Sequence, residues 1–348
     1  MKPRVLTLIL ALAGSLALSL PAQEPDFTPE PPPSETPPSE PPDTTPDSPP
    51  DTDPGDAPET WAIFQNISTR ALLDNESYVV NGQNFGIINA SVIVAGSDTA
   101  TQTVVWRGRG PSLNLVDGVL NATDPLVEVV QPGIGILKSN ENYLDDDQYS
   151  LIEGTFLVPN GIQNNEAIAT TLDLAPGPFS ARVKSDSDTR GVGQVEAFAY
   201  FENAASEPSS EPSIELSNIS TRGPVGAGTQ ESMNTNFIIV GPGFTSIVCR
   251  GRGPSINLPD GVTKLPDPFI ELVQIGTGVI ASNDSYEQTN DLDLITGTSF
   301  IPDGIQANEA IIVAINLEPG AYTVRLRNSD SDPNGEGIGI AEAFVADF

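Results

Sequence analysis

A chain of 348 residues with 47 Asp and Glu against 15 Lys and Arg carries a net charge of -32, a field that repels phosphate backbones and anionic lipid and so argues against nucleic acid or a membrane surface as partner. Histidine is absent, which removes the usual general base, the usual zinc ligand and every Ser-His-Asp or Cys-His arrangement. The single cysteine, Cys249, has no intrachain partner for a disulfide.

Residues 1–22 open with Lys2 and Arg4, continue through an apolar run from Val5 to Leu20 and reach small residues at Pro21-Ala22. That order predicts a cleaved secretory signal; the run is short for a membrane anchor of ~20 apolar residues. The expected location is secreted or cell-surface, with the periplasm as an alternative and no membrane insertion after cleavage. Residues 23–60 are dominated by Pro, Glu, Asp, Ser and Thr, as in Pro41-Pro42-Asp43-Thr44-Thr45-Pro46. Such a segment buries too little apolar surface to offset the entropy of ordering, so a disordered, polyproline-biased stalk is expected.

The remainder reads as two copies of one unit, residues 61–204 and 213–348, joined by a linker at 205–212. Asn66-Ile67-Ser68-Thr69-Arg70 returns as Asn218-Ile219-Ser220-Thr221-Arg222, and Arg107-Gly108-Arg109-Gly110-Pro111-Ser112 returns unchanged as Arg250-Gly251-Arg252-Gly253-Pro254-Ser255. Short β-branched runs, among them Val127-Glu128-Val129-Val130, Ile270-Glu271-Leu272-Val273, Ile311-Ile312-Val313-Ala314-Ile315 and Tyr322-Thr323-Val324-Arg325-Leu326, are separated by Gly, Asn, Asp and Pro. No helical period is sustained over a dozen residues. The pattern predicts an all-β chain of two tandem antiparallel β-sandwich, jelly-roll-like domains.

Three stretches of the second copy carry a resemblance: Asp267-Pro268-Phe269-Ile270-Glu271-Leu272, Gly278-Val279-Ile280-Ala281-Ser282-Asn283-Asp284, and Leu317-Glu318-Pro319-Gly320-Ala321-Tyr322-Thr323-Val324. Together they resemble the bacterial pre-peptidase C-terminal domains, β-sandwiches appended to secreted proteins. The first copy departs at Asn140-Glu141 and at Pro176-Gly177-Pro178-Phe179. The resemblance implies an extracytoplasmic accessory module, in some members calcium-dependent or ligand-binding, and it does not imply catalysis.

Among candidate residues the duplicated arginines stand first. Arg107, Arg109, Arg250 and Arg252 are expected to be structural, their guanidinium forks pairing with duplicated carboxylates or capping backbone carbonyls; the duplicated acids are Asp124, Glu128, Glu166 and Glu196 in one copy and Asp267, Glu271, Glu309 and Glu342 in the other. Arg70 and Arg182, with counterparts Arg222 and Arg325, are grouped with them, and the competing reading is an anion or sugar-acid site at the Gly-rich turn. Asp186 with Asp188, and Asp330 with Asp332, are candidates for weak calcium binding, since alternate carboxylates on a turn supply two or three of the six to eight oxygens calcium takes. Asp145-Asp146-Asp147 and Asp291 with Asp293 are further acidic turns, though none completes an EF-hand loop. Cys249 shares a strand face with Ile247 and is expected to be a buried apolar thiol.

No catalytic residue is assigned, and calcium is the one cofactor weighed. The expected function is a non-enzymatic structural or surface module of adhesive type. A calcium-assisted carbohydrate or matrix binder is the alternative, and a carboxylate-dependent hydrolase ranks third. The expected partner is an extracellular ligand of the carbohydrate class.

Overall fold

Alternation along the strands sets the architecture. In Ile88–Gly96 the residues Ile88, Ala90, Val92 and Val94 are buried while Asn89, Ser91 and Ile93 face outward, the period-two pattern of a strand with one face on a core. The computed structural model describes residues 63–74, 76–96, 100–185, 190–200, 214–227, 231–329, 335–346 and 348. The expected signal segment, stalk and linker, and all four candidate calcium ligands Asp186, Asp188, Asp330 and Asp332, lie outside the described residues.

The first copy supplies β1 (Ile63–Leu73), a small hairpin of β2 (Val79–Val80) and β3 (Gln83–Asn84), then β4 (Ile88–Gly96), β5 (Gln102–Arg109), β6 (Pro125–Gln131), β7 (Gly135–Asn140), β8 (Ala167–Leu174), β9 (Gly177–Ser185) and β10 (Gly191–Tyr200). The second supplies β11 (Ile214–Val225), β12 (Met233–Val240), β13 (Thr245–Arg252), β14 (Pro268–Gln274), β15 (Gly278–Asn283), β16 (Ala310–Leu317), β17 (Gly320–Asn328) and β18 (Gly337–Ala346). All ladders between these strands are antiparallel. The only helical pieces among the described residues are short: 3-10 turns at Tyr143–Asp145 and Tyr286–Gln288, α1 (Tyr149–Ile152) and α2 (Leu292–Ile295).

Within the first copy the orders β1-β10-β5-β8 and β4-β9-β6-β7 are those of a jelly roll, and the second copy repeats them as β11-β18-β13-β16 and β12-β17-β14-β15. The predicted fold class is therefore what the chain adopts. The two jelly rolls do not stand apart. β1 pairs with β12, Arg70 opposite Asn234, and β11 pairs with β4, Arg222 opposite Asn89. The result is two continuous eight-stranded sheets, each taking four strands from either copy. This cross-pairing covers edges that β1, β4, β11 and β12 would otherwise expose.

The inner faces meet in one hydrophobic cluster that runs from Val104, Trp106 and Phe179 of the first copy to Phe237, Cys249 and Tyr322 of the second. At its centre the equivalent residues Thr69 and Thr221 share a hydrogen bond of 2.7 Å, and Thr235 lies 3.3 Å from Thr69. This places buried hydroxyls where the two copies meet. On the outer faces, the connection from β7 to β8 seats Ile152 and Leu157 on Val105, Ile168 and Phe198. The connection from β15 to β16 seats Ile295 on Val248, Ile311 and Val313.

Candidate functional site

The Arg-Gly-Arg-Gly-Pro-Ser block ends β5 and β13, and alternation splits it between two environments. Gly108 and Gly251 face inward, where a Cβ would stand 3.4 Å from Val183 Cγ2 in the first copy and 2.4 Å from Ile270 Cγ2 in the second. One step on, a Cβ on Gly110 or Gly253 would meet the carbonyl oxygen of Ala122 or Leu265 at 2.2 or 2.0 Å. Gly110, Gly251 and Gly253 are there for close approach, while Gly108 has ordinary contacts, in contrast to the flexible, solvent-facing loop that such a composition also allows.

The arginines of the block face outward, beneath the β7–β8 and β15–β16 connections. Arg107 is 1% exposed; its Nε donates to Glu196 Oε2 at 2.7 Å and its Nη2 lies 2.7 Å from Oε1, a bidentate fork. Nη1 donates to the Leu157 carbonyl at 3.0 Å, and the guanidinium lies 4.1 Å from the Phe198 ring centre. Arg250 repeats the set, donating to Glu342 at 2.8 Å and to the Ser299 and Phe300 carbonyls at 3.1 Å, over Phe344 at 4.2 Å. Burial draws the Arg107 guanidinium below the ordinary arginine value, opposed by Glu196.

Arg109 and Arg252 each clasp the serine three residues on, with Nε at 3.1 Å and Nη2 at 2.9 Å from its Oγ. That serine in turn donates to a fully buried carboxylate. Glu166 Oε1 accepts from Gly110 N, Ser112 N and Ser112 Oγ at 2.7, 3.1 and 2.9 Å, while Oε2 accepts from Gln163 N at 2.8 Å. Glu309 accepts the equivalent four bonds from Gly253, Ser255 and Gln306. The backbone N-H groups that would have formed an anion site at the turn are thus occupied by the chain's own glutamate.

The other duplicated arginines are placed differently. On one sheet Arg70, Asn234, Arg325 and Glu271 stand in a row across β1, β12, β17 and β14, and Arg325 Nη1 donates to Glu271 Oε2 at 3.1 Å. On the other sheet Arg222, Asn89, Arg182 and Glu128 form the matching row. Here Glu128 takes Lys184 instead, at 2.7 Å. Among the described residues Arg182, Arg222 and Arg70 have no hydrogen-bonded or ion-paired acid, so the expected pairing with carboxylates does not extend to them. Grouping by duplication alone missed this, because the row is assembled from both copies.

Of the acidic turns within the described residues one is engaged, where Lys138 Nζ binds both Asp146 and Asp147; Asp291 stands at the N-cap position of α2 with a left-handed backbone, φ +58, and its side chain makes no capping hydrogen bond. Among the described residues no group of three or more His, Cys, Asp or Glu stands where it could hold a metal ion. Cys249 is fully buried beside Ile247 in the core, and burial pushes its thiol well above the ordinary range. Trp106, at the equivalent position, donates Nε1 to Thr171 Oγ1 at 2.9 Å. No protein-family model matches the chain, and no curated protein matches it.

Proposed function

We propose that the chain is an exported, non-enzymatic structural module of adhesive type, in which a proline-rich stalk carries a rigid pair of fused jelly rolls. The observation that supports this reading is the fate of the duplicated block. In both copies its arginines, glycines and serine are used internally, against Glu196, Glu166, Glu342 and Glu309 and against neighbouring backbone. Residues repeated in this way maintain a shape, and the continuous sheets join the two shapes into one body. The likeness to pre-peptidase C-terminal domains, proposed on the strand and turn stretches of the second copy, fits the same extracytoplasmic role.

A glycan array probed with the full chain, with and without calcium, separates this reading from a calcium-assisted carbohydrate binder. The structural reading expects no calcium-dependent capture. Capture that disappears with chelator, together with heat in a calcium titration, would replace it and direct attention to Asp186, Asp188, Asp330 and Asp332. Turnover in a broad glycosidase screen would overturn the non-enzymatic assignment.

A further inference from the structure

Where β11, β4, β9 and β6 run side by side, the outer face of the sheet carries Arg222, Asn89 and Arg182 in one cross-strand row. Neighbouring strands lie about 4.8 Å apart, so one asparagine separates the two guanidinium groups. Neither arginine has a carboxylate partner among the described residues, since Glu128 is committed to Lys184. Burial, then the charge of Arg182, hold the Arg222 guanidinium below the ordinary arginine value. The Arg222 guanidinium nonetheless keeps its charge. Two half-buried like charges separated by one cross-strand residue are an unfavourable arrangement unless an anion stands with them, and the acid of the row, Glu128 opposite Arg182, is salt-bridged to Lys184.

Three further observations point to a ligand. The Asn89 Oδ1 and Glu128 Oε2 atoms in the same row are buried and have no hydrogen-bond partner; both are acceptors, so what they lack is a donor, which a ligand's hydroxyl groups supply and its carboxylate does not. The adjacent row is hydroxylic, Ser220, Ser91 and Ser180, with Ser91 and Ser180 hydrogen-bonded at 2.8 Å. In the matching row on the opposite sheet Arg325 has its acid, while Arg70, like Arg222, lacks one and is held below the ordinary arginine value by burial and then by the charge of Arg325. There Arg327, the counterpart of Lys184, stacks on Phe269 at 4.1 Å, which leaves Glu271 to pair with Arg325, and Asn234 Nδ2 is bound to Ser232. The two rows therefore differ in which cation takes the acid, Lys184 on one sheet and Arg325 on the other.

We propose that Arg182 and Arg222 form a carboxylate-binding site for an acidic sugar of the uronate class, the carboxylate bridging the two guanidinium groups and the sugar hydroxyls facing the serine row. The site takes Arg182 from one copy and Arg222 from the other, so it exists only because the two copies pair. It is independent of the structural role proposed above, which stands whether or not a ligand binds.

The test is calorimetric titration of the full chain with trigalacturonate in about 0.15 M salt, where charges beyond ~8 Å are screened. Binding is expected, with none for the fully methyl-esterified trimer, and inorganic sulfate at equal concentration is expected not to displace it. Arg182→Gln and Arg222→Gln should each weaken binding about tenfold or more while leaving the melting temperature unchanged or higher, because a repulsion is relieved. Asn89→Asp, which supplies an internal carboxylate, should abolish binding and raise the melting temperature. No heat with the wild-type chain, equal binding of the methyl ester, displacement by sulfate, or full binding by the Arg182→Gln, Arg222→Gln double variant would overturn the proposal.

Discussion

Removing the Arg250 guanidinium leaves Glu342, 6% exposed, without its ionic partner, and breaking a buried pair from one side costs about 3 to 5 kcal/mol. Arg250→Ala is expected to lower the unfolding free energy of the full chain, read from urea melts, by that much, whereas the exposed Asp303→Ala should stay within about 0.5 kcal/mol. Equal midpoints would contradict the bracing role. Gly253→Ala tests the same block from the backbone side. A Cβ 2.0 Å from the Leu265 carbonyl oxygen must move β13 or its neighbour, and overpacking of that kind costs about 1 to 3 kcal/mol or more.

Titration of Cys249 and Tyr78 gives the molecule an alkaline limit. Burial raises the Cys249 thiol well above its unfolded value, and burial with Glu336, Asp74 and Glu231 nearby raises the Tyr78 phenol to about 12, with Arg190 opposing. In both cases the folded state holds its proton longer than the unfolded one. Stability is therefore fully present below about pH 8.5, the unfolded thiol value, and falls as pH rises, by up to about 1.4 kcal/mol per unit for the thiol alone. Urea melts between pH 7 and 10 should show the decline, and Cys249→Ala should flatten it. A decline of the same slope in the variant would remove the thiol as its cause.

At the scale of elements, the junction of β1 and β11 is held by Thr69 and Thr221. Thr69→Val leaves the Thr221 hydroxyl buried with one partner fewer, at a cost of about 1 to 3 kcal/mol, and the double change to valine is expected to recover part of that loss. Additive destabilisation in the cycle would mean that the hydroxyls do not interact. The individual strands were legible in the sequence: Ile311 to Ile315 and Tyr322 to Leu326 fall within β16 and β17 because β-branched runs between turn residues have few other solutions. The pairing of β1 with β12 was not legible. Alternation tells which face of a strand is buried and says nothing about which strand lies beside it. For the same reason duplicated charges could suggest that Arg107 is paired internally but not that Glu196 is the acid, and they could not bring Arg182 and Arg222 into one row.

At the scale of the whole molecule, the shared core predicts that the two copies unfold together. Calorimetry should give one transition with equal calorimetric and van't Hoff enthalpies, and Arg250→Ala should shift it as a single peak. Two resolved transitions would show that the sheets part at the junction before either copy melts. The second copy expressed alone should expose β11 and β12, the strands that β4 and β1 cover in the full chain. Sedimentation is expected to find it as a two-fold dimer pairing β11 of one protomer with β12 of its partner. A stable monomer would mean that these edges can close without a second jelly roll.

The position of β1 has a mechanical consequence. The segment at 23–60 leads directly into a strand laddered on both sides, with β10 along one edge and β12 along the other. Tension applied to Ile63 along the axis of β1 would act across two hydrogen-bonded ladders at once, so the strand would have to slide past both neighbours to detach. A terminal edge strand would peel one bond at a time. Force applied along β1 would thus be shared at once between both copies of the unit.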